Sequence, residues 1–462
     1  MSESKKSAII LAAGDGKRMK SKKPKVLMEV AFQPMLSWVL DSVKQAGIEK
    51  IAVIIGNNAE LLEKELGSHP DCKTFPQAER KGTGHAVLQA AAFLEENKDG
   101  DVLVLCGDAP FMDSTTVNEA YKLHKEKNHA VTVITAEVEN PFGYGRIVRE
   151  KDGGLLGIVE QKDCSEEQRS IREINSGGYW FNTANLLEAL PLLTDENANR
   201  EYYLTRTVEL IRNNGRFAGA YKSDNGRIVL GANDRRGLRE LNRIATEMLN
   251  DEISDGGVDI IGEVFIQKGV KIGQDTVILP NTIIKGDTVI GEGCVIGPNS
   301  FIEDCKIGNE VTLNNVQAFE SCVEDGAKVG PFVQLRPNTT LKKGVKIGDF
   351  VEVKNSVIGE KTSIAHLTYI GDSDVGAGVN FGCGCVTANY DGIAKHRTVI
   401  GDNAFIGCNT NLIAPVTVGE NATTAAGTTV TKNVPANSLA IERGQMNVKE
   451  NWEKNFLRKK KK

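Results

Sequence analysis

From position 272 onward, Ile or Val followed directly by Gly recurs at 272, 290, 296, 307, 329, 347, 358, 370, 400, 406 and 418. Many of the steps between them are 6, 12 or 18 residues, and these are interrupted by steps such as 11 and 22. A hexapeptide repeat of this kind builds a parallel β-helix. Each apolar side chain points inward onto its equivalent in the next coil, and Gly permits the tight corner. The repeat therefore predicts a left-handed parallel β-helix over 251–450. Taken alone, such a domain either carries a site or serves only assembly.

The remainder of the 462 residues is long enough for a second core. From Ser7 to about Leu230 the runs SAIILAA, KIAVIIG and DVLVLCGD alternate with helical spacing at Met35–Ala46 and Gly84–Glu95. Continuous apolar runs suit strands buried on both faces of a parallel sheet, so 1–230 reads as a Rossmann-like, doubly wound α/β domain. Ligands of such folds gather at the carboxyl ends of the strands. Asp234–Leu249 has Leu238, Leu241, Ile244, Ala245 and Met248 on one helical face and reads as a linker helix within 231–250. Residues 451–462 form a basic tail, its Arg458–Lys462 run having the character of a solvated end.

A formal net charge of -5 and the lack of a basic stripe argue against nucleic acid as a partner. No stretch approaches the roughly 18 apolar residues of a membrane span, and Met1–Ile10 has no signal-peptide pattern. Nine cysteines are scattered, and the closest pair, Cys383 and Cys385, matches neither a zinc knuckle nor a redox motif. A soluble cytoplasmic protein with reduced thiols and no stable membrane association is expected.

The most specific string of the first half is LAAGDGKRMKSKKPKVL, Leu11–Leu27. A strand opens into Gly14 and Gly16, where backbone N–H groups can approach phosphate, and Arg18 and Lys25 add positive charge. Asp108 ends the run DVLVLCGD; such a residue is either a turn former or, beside phosphates, a magnesium ligand. Further strings are QAERKGTGHA, GYGRI, IVEQKD, INSG and GAND, the last ending at Asp234.

In the second half, His366 and His396 are the only histidines of the repeat region. That is too few for a three-histidine zinc site, whereas a general base needs one imidazole. Around His366 stand LRP (335–337), FVEVKNS (350–356), HLTYIGD (366–372) and NFGCGCVTANYDG (380–392).

In order and spacing, the strings of both halves resemble those of the bacterial enzymes that fuse an N-acetylglucosamine-1-phosphate uridyltransferase to a glucosamine-1-phosphate acetyltransferase. The likeness spans roughly residues 7–447. It implies synthesis of UDP-N-acetylglucosamine: acetyl transfer from acetyl-CoA to glucosamine-1-phosphate, then uridyl transfer from UTP. It places UTP on Leu11, Ala12, Ala13, Gly14 and Lys25, with Gln77, Gly82 and Thr83 on the uracil. It places the sugar on Gly145, Glu160 and Asn175, Mg²⁺ on Asp108 and Asn233, and gives Arg18 and Lys25 catalytic roles. For acetyl transfer it implies His366 as base and Arg336, Lys354, Tyr369 and Asn380 as the sugar-phosphate pocket. Cys383, Asn389, Tyr390, Cys408, Ala426 and Arg443 would bind acetyl-CoA, with a backbone N–H beside Cys383 facing the oxyanion. A homotrimer is implied as well.

Cys383, Cys385 and Cys408 stand where small residues such as Ala, Thr or Ser are common in that pattern; a nucleophilic cysteine is the competing reading there. Two alternatives for the whole chain are a monofunctional sugar-phosphate nucleotidyltransferase with a structural β-helix and a non-catalytic scaffold. The set His366, Asn389, Tyr390 and Arg443 speaks against the first. The combination of Arg18, Lys25, Asp108 and His366 speaks against the second.

Overall fold

The three apolar runs of the N-terminal half lie side by side at the centre of one sheet. In the computed structural model, which describes residues 5–14, 16–56, 59–67 and 69–452, they are β1 (Lys6–Ala12), β2 (Lys50–Ile55) and, after β3 (Cys72–Pro76), β4 (Asp101–Cys106). The basic run 458–462 lies outside the described residues. Two compact units are formed, Met1–Ala245 and Thr246–Lys462.

Alternate residues of β1 enter two different cores, which is why its apolar run is unbroken. Ala8, Ile10 and Ala12 pack with Leu36, Val39 and Leu40 of the helix Met35–Gln45. Ile9 packs with Val87, Phe93 and Leu94 on the other face. The helical pattern at Gly84–Glu95 is realised as two short helices, Thr83–Leu88 and Ala91–Glu96.

Five more strands follow: β5 (Val131–Glu137), β6 (Arg146–Arg149), β7 (Leu155–Val159), β8 (Glu173–Asn182) and β9 (Ala218–Ser223). The main order is β9-β5-β8-β4-β1-β2-β3, and β6 joins β8 to β7 at one side. β1 runs parallel to β2 and β4, while β8 is antiparallel to both β4 and β5. The sheet is thus mixed, because β8 enters from the β6–β7 hairpin rather than from a helical crossover.

At the amino end of β4, Asp101 is 2% exposed. It accepts hydrogen bonds from Tyr121 Oη at 3.1 Å and Lys125 Nζ at 2.9 Å, and His124 Nε2 lies 3.6 Å away. Burial pushes its carboxyl up, but His124 and Lys125 prevail and hold it well below the usual range. Replacing Asp101 with Ala leaves the buried His124 without its carboxylate, while the half-exposed Lys125 can turn to water, and should cost about 1–3 kcal/mol in denaturant unfolding at neutral pH. The folded carboxyl titrates below its unfolded value of roughly 4, so its contribution is complete above that pH and fades as pH falls through the folded value. The stability gap between wild type and Asp101→Ala should therefore narrow in acid.

The second unit is a left-handed parallel β-helix whose three sheets contain 11, 10 and 9 strands. One inward ladder runs Ile278, Ile296, Leu313, Val329, Ile347, Ile364, Phe381, Ile406, all buried. Its pairing steps explain the irregular repeat. Val277 pairs with Val295, 18 residues on, but Val295 pairs with Thr312, 17 on, and Thr312 with Lys328, 16 on. Apart from Gly297 (φ +103°) and Gly330 (φ +113°), the Gly after these Ile and Val residues is required for a reason other than a left-handed corner. A Cβ on Gly359 would lie 2.3 Å from the Gly376 carbonyl carbon, and one on Gly401 2.5 Å from Glu420 N. Close coil stacking excludes a side chain there. At one corner the left-handed positions are filled by Asn299, Asn315, Phe332, Phe350 and Leu367 as well as by Gly384 and Gly427.

The predicted linker helix covers Arg235–Asp255. Asp234 Oδ1 accepts from the N–H groups of Arg236 at 3.0 Å and Gly237 at 2.9 Å, an N-terminal cap. Arg235 donates to Met19 O at 3.1 Å and Asn242 accepts from Ala31 N at 3.0 Å. These bonds extend the first unit past the expected end at 230. Among the described residues, no helix is long and apolar enough to cross a membrane.

Candidate active sites

Parallel pairing sets Leu11 opposite Cys106, so the chain leaves β1 and β4 at the same level. Gly107 N–H donates to Leu11 O at 2.9 Å, which brings the Asp108 turn beside the Gly14–Gly16 segment. Gly16 has φ +57°, and a Cβ there would lie 2.7 Å from Lys25 Cβ; the loop folds over Lys25 only with glycine. The Lys25 ammonium pairs with the Asp108 carboxylate and donates to Asn233 Oδ1 at 2.7 Å. Three residues far apart in sequence thus meet at the carboxyl edge of the sheet.

Around them opens a cleft of about 520 Å³. Of the predicted nucleotide residues it is lined by Leu11, Ala13, Gly14, Arg18, Lys25, Gln77, Gly82, Thr83, Asp108 and Asn233. Ala12 is buried at the strand end instead. The Gln77 amide donates to Gly82 O at 3.2 Å, and Thr83 Oγ1 accepts from Leu204 N at 3.0 Å, which fixes that wall. Arg80 and Glu201 also line the cleft. The string QAERKG carried Arg80 as a signal, whereas nothing nearby in sequence marks Glu201.

Gly145 just before β6, Glu160 just after β7 and Asn175 of β8 meet in one row. Arg146 pairs with Val159 on one side and Ile174 on the other, so the preceding residue, Gly145, lies between Glu160 and Asn175. A Cβ on Gly145 would be 3.6 Å from both Glu160 Oε1 and Asn175 Cβ. Burial pushes the Glu160 carboxyl up, although Thr205 Oγ1 donates to it at 3.1 Å. A two-residue bulge between Asn175 and Gly178 turns β8 at this point. Cys106 joins the row to the cleft: burial, Asp108 and Glu160 together push its thiol up to about 12.

In the β-helix, one corner stacks Asp349, His366, Cys383, Cys408 and Ala426. Asp349 pairs with His366, Asn409 N donates to Cys383 O and Gly427 N to Cys408 O, each at 2.8 Å. The Ser363/Asn380 and Ile364/Phe381 register places Cys383 above His366. His366, Cys383 and Cys408 are exposed, while Cys385 points inward, its thiol raised by burial. Asn380 lies on the same sheet as His366.

On the next sheet Arg336, Lys354 and Tyr369 occupy successive coils. Arg336 Nη1 pairs with Glu352 at 2.8 Å. Lys395 and burial lower the Lys354 ammonium from its ordinary value. Lys395 was not among the predicted residues; it closes a small hairpin by bridging to Tyr390. Asn389 is buried and donates to Asp372, which also accepts from Asn355 Nδ2. The hairpin tip is tied by Asp391, which accepts from Ala394 N at 2.7 Å, Ile393 N at 2.8 Å and His396 Nε2 at 2.8 Å. Arg443 is exposed and follows Glu442, whose carboxylate accepts from Thr429 N at 3.1 Å, one coil beyond Ala426.

The nucleotidyl transferase family model matches residues 7–226, and the bacterial transferase hexapeptide (six repeats) model matches 269–304 and 397–432. The bifunctional protein GlmU of Acetivibrio thermocellus is 48% identical over 459 residues, covering 98% of this chain and 99% of the relative. Those of a Geobacillus species and of Clostridium kluyveri are 47% and 45% identical over 97% and 96% of this chain, and 97% of each relative is covered. Both architectures are therefore those of one bifunctional transferase, and the chain belongs to the GlmU family.

Proposed function

We propose that the β-helix acetylates glucosamine-1-phosphate with acetyl-CoA, and that the N-terminal unit then joins the product to UTP, giving UDP-N-acetylglucosamine and pyrophosphate. The observation that carries this is the location of the polar clusters. Lys25, Asp108 and Asn233 converge at a sheet edge suited to phosphates, and a basic cluster of Arg336, Lys354 and Lys395 is built on the coils that carry the exposed His366.

For uridyl transfer, an oxygen of the sugar phosphate attacks the α-phosphorus of UTP in line, and the bond to the pyrophosphate oxygen breaks. Two anions must approach each other, so Arg18 and Lys25 act by neutralising and aligning phosphates. Gln77, Gly82 and Thr83 hold the base, and Gly145, Glu160 and Asn175 hold the sugar. The Lys25 ammonium already draws together the Asp108 carboxylate and the Asn233 amide oxygen. That pair of hard oxygens fits Mg²⁺, which takes few protein ligands and fills its octahedron with water and phosphate oxygens. Asp108 and Asn233 would hold it, and it would supply charge neutralisation at the phosphates.

For acetyl transfer, His366 takes a proton from the glucosamine nitrogen, whose lone pair attacks the thioester carbonyl; the C–S bond then breaks and CoA leaves as the thiol after reprotonation. Arg336, Lys354 and Lys395 hold the sugar phosphate with Tyr369 and Asn380. The pantetheine runs along Cys383, Cys408 and Ala426, and Asn389, Tyr390 and Arg443 complete the CoA site. Cys383 contributes backbone rather than a nucleophilic thiol, since direct amine attack needs no acyl-enzyme. Omitting glucosamine-1-phosphate, acetyl-CoA, UTP or magnesium in turn from the purified protein tests the scheme. UDP-sugar formation that ignores acetyl-CoA when glucosamine-1-phosphate is supplied would leave the β-helix without a reaction.

The coil interior is filled by its own side chains, so a CoA-sized ligand needs a groove between copies, and a homotrimer in the cytoplasm is the assembly we favour. A fragment starting near Asp251 should be trimeric and retain acetyl transfer. One ending near Leu249, so that Asn233 and the cap at Asp234 are kept, should retain uridyl transfer as a monomer. Sedimentation and both assays decide it: a fully active monomeric C-terminal fragment would refute the shared site.

A further inference from the structure

Arg146 is the largest buried cation in the N-terminal unit that the chemistry above leaves unused. Its side chain is 1% exposed, a rare state for arginine and one that costs stability unless the group is well occupied. Its partners are neutral oxygens: Nη1 donates to Tyr144 O, and Nη2 donates to Gln161 Oε1 at 2.7 Å. Nε finds no acceptor. Gln161 Oε1 also accepts the Gly143 N–H, at 2.9 Å. One guanidinium and one amide thus fasten the turn Gly143–Gly145 from two directions, to its own carbonyl and to the segment that follows β7.

The strand register gives this clamp its meaning. Val159, Arg146 and Ile174 form one row across β7, β6 and β8. Glu160, Gly145 and Asn175 form the adjacent row, and Asn175 N donates to Gly145 O at 2.9 Å. Successive side chains of a strand point to opposite faces, so Arg146 works behind the face that Gly145 presents. We propose that Arg146, through Gln161, is a positioning residue for the acceptor sugar phosphate: it sets the distance between the Gly145 backbone and the Glu160 carboxylate. It touches neither substrate. The inference rests on the assignment of Gly145, Glu160 and Asn175 to the sugar.

A displacement of about an ångström in such a row is worth on the order of 10–100-fold in the use of the sugar. Steady-state kinetics of uridyl transfer by the full chain should therefore show KM for N-acetylglucosamine-1-phosphate raised by roughly that factor in Arg146→Met and in Gln161→Ala, with KM for UTP within about twofold. Arg146→Lys, which keeps the charge but loses the fork, should recover part of the loss. The double variant Arg146→Met/Gln161→Ala should be no worse than Arg146→Met, because the two residues act as one clamp. Glu160→Gln serves as the control for the underlying assignment. If it leaves the sugar KM unchanged, the sugar reading fails. If it raises that KM while Gln161→Ala and Arg146→Lys do not, the positioning role fails and the reading stands. Equal rises in both KM values with unchanged kcat would also overturn the proposal, since general loosening of the fold is not selective for the sugar. Should Arg146→Met not fold, Gln161→Ala and Arg146→Lys carry the test alone.

Discussion

Changing Asp108 to Asn should lower uridyl transfer by about a thousandfold or more, because the proposed Mg²⁺ would lose the charged one of the two side chains that would hold it, where several kcal/mol of phosphate neutralisation would depend on it. The substitution preserves shape and one oxygen, and Lys25 keeps the Asn233 amide as a partner, so the fold should be spared. Acetyl transfer by the same protein, whose residues lie in the other compact unit, should stay within about twofold of wild type. The measurement is a pair of assays on one preparation, product UDP-sugar from ready-made N-acetylglucosamine-1-phosphate and free thiol from acetyl-CoA. Raising magnesium should recover little. A parallel fall of both activities in a folded variant would show that the two sites are not separate.

His366→Ala should give the opposite pattern: acetyl transfer down on the order of 10²–10⁴-fold, uridyl transfer untouched. The imidazole sits at an exposed corner, so its removal leaves no buried cavity, and thermal unfolding should move little. That separates a chemical loss from a structural one. Cys383→Ala and Cys408→Ala are the informative comparison, because both stack on the same corner as His366. Acetyl-transfer rates near wild type in both would place the chemistry on the imidazole and leave only backbone contacts to the two cysteines. A His366→Ala rate within a few-fold of wild type would remove it from the mechanism.

Much of this arrangement is legible in the chain because its cause is local. The step of six residues fixes the coil, and three unbroken apolar runs fix the parallel centre of the sheet. What the string conceals is anything settled by the neighbouring coil or strand. The Gly after each Ile or Val looks like a turn former, yet Gly359 and Gly401 are small because the next coil's backbone lies where a Cβ would be. The string GYGRI gives no sign of Arg146's surroundings, and only the fold, with the row Val159–Arg146–Ile174, shows that it is enclosed. Lys395 lies in a segment that breaks the repeat, and its place near Lys354, whose ammonium it lowers, depends on the hairpin that Asp391 ties. Arg443 carries no local sign of its place at all.

That hairpin has a consequence of its own. Where it leaves the stack, the pairing step grows to 25 residues, from Val386 to Asn411, and the next step, Asn411 to Thr429, is back to 18. The disturbance is therefore not propagated: a coil bonded only to its neighbours regains register within one turn, and doubling the length of such a side branch costs only about 0.6 kcal/mol in closure entropy. The prism behaves as a chassis and the hairpin as an exchangeable tool. Hairpins of other lengths and compositions should therefore be tolerated between Tyr390 and Lys395 without redesigning a single inward ladder, while the scaffold stays fixed.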